Sequence, residues 1–149
     1  MARHTVKPLV GGNEYDTFKI TGAITDVDID KPVAITATDE VVLCSDGDEI
    51  YGFISSIEPN LADGKVVVGV QLSGRKYVIL DGAAAVGTLV EAAANTAAGT
   101  AKAGNYGLVS VHTYDTTTAI TLAADIFSKN WKVISGTGLD TSTALIEKQ

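Results

Sequence analysis

Cysteine is almost absent from the chain. Cys44 stands alone, so no intrachain disulfide can form and a small secreted scaffold stapled by bridges is excluded. Histidine is nearly as scarce. His4 and His112 are the only two, one on the N-terminal segment and one in an expected strand, so neither a metal site nor a cofactor is expected. Bases are outnumbered, with 11 Lys and Arg against 18 Asp and Glu for a net charge of -7. A basic stripe able to neutralise several phosphates is missing, and nucleic acid is not an expected partner. No window reaches the roughly 18 apolar residues of a membrane span. The start "MARHTVKPLVGGNEY" carries bases but no apolar core of a signal peptide. These two absences give an expectation of cytoplasmic synthesis and no membrane partner. Aromatic residues are few and scattered, which disfavours a stacking platform or a sugar cradle; Trp131 and the five tyrosines are expected to anchor a core or an interface.

What the chain has in quantity is strand-forming sequence. Hydrophobic residues make up 46% and charged residues only 19%, which excludes global disorder. A chain of 149 residues can bury roughly 70% of its unfolded surface, enough for one core. In "GDEIYGFISSIEPNLADGKVVVGVQLSGRKYVILDG", residues 47–82, runs rich in Val, Ile and Tyr alternate with Gly, Pro, Asn and Asp, the pattern of β-strands punctuated by turns. Strands are expected at 16–25, 32–43, 50–57, 65–72, 75–80, 86–92, 106–113, 117–122 and 131–135. In "TDVDIDKP" the acids alternate with Val27 and Ile29, which reads as an extended segment. The alanine-rich stretch 81–107 is broken by Gly82, Gly87, Gly99 and Gly104, which fits a hairpin better than a helix. "DIFSKNW", 125–131, suits a single helical turn. No repeat with a period of about 20–50 residues is visible. The expected fold is mainly β: a compact antiparallel β-barrel or sandwich-like domain over 15–149, with an extended N-terminal arm over 1–14 and at most one short helix. The long runs "KVVVGVQL" and "KYVILDG" are expected to present sheet edges that an oligomer would cover.

Motifs that carry chemistry fail on inspection. "DVDIDKPVAITA" opens like a calcium loop but has Lys31 where glycine is required and Ala37 where glutamate is required. "GAAAVGTL" has the glycines of a phosphate loop but Thr88 and Leu89 in place of its Lys and Ser/Thr. "GTGLDT", 136–141, matches only the first two glycines of a dinucleotide fingerprint and leaves no room for the βαβ unit. Cys44 follows "VVL" beside acids that would raise a thiol pKa, and Ser55, Ser56 and Ser135 sit in no nucleophile elbow. No carboxylate pair is singled out. The sequence therefore gives no reason to expect an enzyme.

Charge is unevenly spread. Residues 20–64 hold ten acids against Lys31 alone, whereas the first twelve residues hold Arg3, His4 and Lys7 and no acid. The arm also carries Val6, Leu9 and Val10, apolar residues that a solvated tail has little use for. Arg3, His4, Val6, Lys7, Leu9 and Val10 are the candidate contact residues, with the bases meeting carboxylates and the apolar groups meeting a partner surface.

The order of features over residues 32–111, "PVAIT", the acidic "DGDEIYGFI", the pair "GKVVVGVQLSGRKYVIL", then "AVGTLVEA" and "GNYGLVSV", resembles the small capsid decoration, or cement, proteins of tailed bacteriophages. The resemblance implies a β-rich structural virion protein. It would sit as a homo-oligomer on the outer capsid surface, bind the major capsid protein and stabilise the shell by clamping adjacent capsomers, often through an extended terminal arm; the strand edges at "KVVVGVQL" and "KYVILDG" lead us to expect a closed homo-oligomer, trimer ahead of dimer. The alternative is another virion surface or adhesion module that binds a host glycan or a small ligand.

Overall fold

The structure is a computed structural model that describes residues 13–59, 66–93, 108–111, 131–136, 139 and 142–148. It is mainly β, and the described strands form two closed five-stranded barrels. The first contains β1 (Glu14–Thr21), β2 (Pro32–Ala37), β3 (Glu40–Leu43), β4 (Gly52–Pro59) and β5 (Val66–Ser73). The second contains β6 (Arg75–Asp81), β7 (Leu89–Ala92), β8 (Leu108–Val111), β9 (Trp131–Gly136) and β10 (Thr143–Lys148). In the first, β1 runs parallel to β3, and the antiparallel pairs β3–β2, β2–β4, β4–β5 and β5–β1 close the ring. The second repeats this arrangement: β6 is parallel to β8, and β8–β7, β7–β9, β9–β10 and β10–β6 are antiparallel. One strand order is thus used twice in one chain.

Closure removes the edges expected at "KVVVGVQL" and "KYVILDG". β5 is paired by β4 on one side and β1 on the other, and β6 by β10 and β8. Ladder pairing takes up the β5 backbone on both sides and that of β6 in part, so contact with another molecule along β5 uses side-chain faces.

Three local readings change. The run 32–43 is two strands, because Thr38 and Asp39 turn the chain and Asp39 takes a left-handed φ of 62°. The acids of "TDVDIDKP" do not alternate along a strand: Asp26–Asp28 form a 3-10 turn. Asp28 is buried there and accepts from the Thr25 backbone N–H (2.8 Å), from Thr25 Oγ1 (3.3 Å) and from Lys31 Nζ (2.6 Å). Local hydrogen bonding by a short acid outcompetes the extended form. The C-terminal strand β10 was not expected at all. Residues 94–107 of the expected hairpin, the expected 117–122 strand and residues 125–130 of the expected helical turn lie outside the described residues, while Trp131 opens β9.

Each barrel has its own core. Phe18, Val33, Val41, Ile54, Val68 and Val70 fill the first. Val78, Leu80, Val90, Trp131, Val133 and Ile146 fill the second, and Ile50 and Phe53 join them from the first barrel's part of the chain. Alternation along β4 explains the sharing: successive side chains point to opposite faces, so Ile54 faces one core and Phe53 the other. Full burial of each such side chain contributes about 1.5–3 kcal/mol.

The barrels are joined by one residue, Gly74, between Ser73 at the end of β5 and Arg75 at the start of β6. Its φ of +90° turns the chain where a Cβ would strike Asn13. Gln71, buried in the first barrel, donates from Nε2 to both Ser73 O (3.1 Å) and Arg75 O (3.0 Å) across this turn. Arg75 N donates to Asn13 Oδ1 (3.2 Å), and Lys148 N donates to Gly74 O (3.2 Å). Further out, Lys76 pairs with Asp30, while Gly47 N and Ala92 N reach Ala92 O (2.9 Å) and Asp48 O (3.0 Å). The joint is therefore tied from both barrels along its length.

Candidate interaction surface

The arm residues Arg3, His4, Val6, Lys7, Leu9 and Val10 lie outside the described residues, and so does His112. What the structure does place is their root. Asn13, the first described residue, is held at the barrel joint by Arg75 N, and β1 begins at Glu14. Residue 13 therefore sits at the seam between the barrels.

Beside that root, Glu14, Tyr51, Leu72, Ser73 and Lys148 line an open cleft of about 440 Å³. Lys148, the last residue of β10, reaches across the seam. Its Nζ donates to Tyr51 O (3.4 Å) and lies 5.7 Å from the Tyr51 ring centre and 6.0 Å from that of Trp131, within cation–π range. Burial holds the Lys148 ammonium below the ordinary lysine value of 10.5, although the charges of Glu49 and Glu14 pull it upward. At Asp28, burial raises the carboxyl pKa, but Lys31 and the Thr25 backbone and hydroxyl together hold it below the ordinary 3.8.

The other residues weighed in the sequence take structural places. Cys44 is half-buried against the second core and points Sγ toward Glu49 O at 3.8 Å. Ser55 donates to Gly69 O (2.9 Å) across the β4–β5 pair. Trp131 is buried in the second core and Tyr51 meets Phe18 edge to face, 5.6 Å between centres. Among the described residues, no group of three or more His, Cys, Asp or Glu is placed to hold a metal ion, and no helix is long and apolar enough to cross a membrane.

Charge separates the barrels. Residues 13–73 hold twelve acids and three bases, a net charge of -9, whereas residues 74–149 hold six of each. Large apolar side chains are exposed on both: Val27 and Ile35 on the first, Tyr77 and Val86 on the second, with Leu139 between β9 and β10. The seam residues Tyr51, Lys76 and Lys148 escaped the sequence reading, since nothing in one chain's sequence brings positions 51 and 148 together. Tyr77 is another matter. It lies in "RKYVIL", where buried Val78 and Leu80 alternate with outward residues, a period-2 signal that already sets it on the outer face.

No protein-family model, no curated protein and no solved structure matches the chain.

Proposed function

We propose that the protein is a bacteriophage capsid decoration protein, a structural rather than catalytic component that binds the outer surface of a capsid as an oligomer and clamps adjacent capsomers. The observation that carries this reading is the rigid joint. A clamp resists shell expansion only if load on one part reaches another without bending, and here a one-residue connection, a shared core and hydrogen bonds from both barrels remove the slack. The order of sequence features over 32–111 supports the same assignment, and the basic arm rooted at the seam gives the body a second point of attachment. Many modest contacts on one particle then act together, because a capsomer cannot move without breaking several at once. The partner is the major capsid protein, synthesis is in the host cytoplasm, and the site of action is the outer surface of the virion. Co-sedimentation with undecorated capsids tests the reading: saturable binding and a raised temperature of shell disruption are expected, and absence of binding at micromolar protein would overturn it.

A further inference from the structure

We infer that the outer face of the second barrel around Tyr77, Ile79 and Leu145 is the surface through which copies of this chain associate. The inference rests on the decoration reading, in which the protein sits on the shell as an oligomer, and names the face that builds it. β6 and β10 lie side by side with Leu145 opposite Tyr77, Thr143 opposite Ile79 and Glu147 opposite Arg75. Val78, Leu80, Ala144 and Ile146 on these strands are buried, so alternation turns Tyr77, Ile79 and Leu145 outward. Tyr77 is 55% exposed, whereas Ile79 and Leu145 are half-buried. The result is an apolar strip bordered by the Arg75–Glu147 ion pair (3.6 Å).

Charge selects the occupant. A first barrel brought against another first barrel sets -9 against -9, and the exposed Val27 and Ile35 lie on that repelling body. The second barrel is balanced, so two copies approach face to face without that penalty, and Arg75 of one copy can meet Glu147 of another around the strip. The β6 and β10 backbones are paired to each other beneath the strip, so side-chain packing is the mode of contact across it. A stable contact of this kind buries about 800 Å² per partner, more than the strip alone supplies, so the polar rim at Arg75, Thr143 and Glu147 belongs to it. The strip packs about the symmetry axis of the oligomer, where each copy presents the same face.

The experiment is analytical ultracentrifugation of the full chain from low micromolar to submillimolar concentration. The wild type should sediment as a discrete multiple of 15.4 kDa. Tyr77→Lys, and independently Leu145→Lys, should raise the dissociation constant about a hundredfold or more by forcing like charges together at the axis. Their far-ultraviolet circular dichroism should stay that of the wild type. If Tyr77→Lys fails to fold, Tyr77→Ser replaces it, with a smaller increase expected. Deletion of residues 2–12 should leave the oligomer intact, and its loss would mean that the arm, not a second barrel, covers the strip. A monomeric wild type throughout, or folded Tyr77 and Leu145 variants that assemble as the wild type does, would also overturn the inference. Parallel capsid co-sedimentation separates the two readings. A monomeric variant that still binds, more weakly per chain, leaves decoration standing, whereas an oligomeric wild type that never binds capsids removes decoration and leaves this interface intact.

Discussion

Phe53 of the first barrel meets Trp131 of the second edge to face, with ring centres 5.1 Å apart and planes at 87°. Both side chains are buried in the second core, so the contact docks β4 of the first barrel against that core. Truncating Trp131→Ala should cost about 3–5 kcal/mol and Phe53→Ala a similar amount. A double-mutant cycle should return about 0.5–1.5 kcal/mol of coupling for the ring contact itself. Because β4 contributes Phe53 to one core and Ile54 to the other, denaturant melts followed by tryptophan fluorescence and by far-ultraviolet circular dichroism should coincide in a single transition. Two separated transitions would show that the barrels unfold independently.

Gly74 is the second place where the joint can be broken by one atom. A Cβ there would be forced into the Asn13 side chain and to within 2.9 Å of Asn13 Cα, at a φ of +90° that alanine rarely adopts. Gly74→Ala should therefore destabilise the protein by about 1–3 kcal/mol. Asn13→Gly in that background should recover part of the loss by clearing the side chain while leaving the backbone strain. Urea denaturation of the two variants checks the order. A Gly74→Ala protein as stable as the wild type would mean that the joint has room to relax.

Lys148 makes the seam sensitive to alkaline pH. Its folded pKa lies below the unfolded value of 10.5, so between the two values the unfolded chain holds a proton that the folded chain has released. Stability from this group therefore rises as pH climbs through that window, and at lower pH the folded state bears the penalty of a half-buried charge. In Lys148→Met the penalty is absent at every pH. The free-energy difference between wild type and variant, measured by denaturation from neutral pH up to 10.5, should shift in favour of the wild type as pH rises. A pH-independent difference would exclude this role.

Much of the barrel content was legible because β-branched runs in β5 and β6 are long and bounded by turn residues, and no competing tertiary effect overrides them. The doubling of the fold was not legible. Equivalent strands do not recur at a fixed spacing: Glu14 of β1 and Arg75 of β6 are 61 positions apart, but Gly52 of β4 and Trp131 of β9 are 79 apart. Closure was equally hidden, since the parallel pairs β1–β3 and β6–β8 join strands that sequence order keeps apart. β10 was overlooked although Ala144 and Ile146 alternate with Thr143, Leu145 and Glu147, because the run is short and follows glycine-rich sequence. The seam around Lys148 depends on long-range approach, which one sequence does not encode locally.

Under the proposed decoration role, residues 2–12 offer the sharpest separation of folding from attachment. Deleting residues 2–12 leaves Asn13 in place, so its Oδ1 still accepts from Arg75 N and the joint keeps its hydrogen bonds. The melting temperature should be unchanged. The deleted segment reaches at most about 40 Å if fully extended, far enough to contact a neighbouring capsomer from the seam. It carries Arg3 and Lys7 for carboxylates and Val6, Leu9 and Val10 for an apolar surface. On the proposed role these contacts act beside those of the body, so truncation should weaken capsid occupancy rather than abolish it. Raised salt should weaken attachment of the intact protein only in part, since screening reduces the charged contacts and leaves the apolar ones. Arg3→Ala with Lys7→Ala should then reproduce the salt-sensitive fraction of the loss, and Val6→Ser with Leu9→Ser the remainder. Unchanged occupancy of the truncated protein would end the arm's assignment as a capsid contact, and collapse of the melting transition would make residues 2–12 part of the folded body.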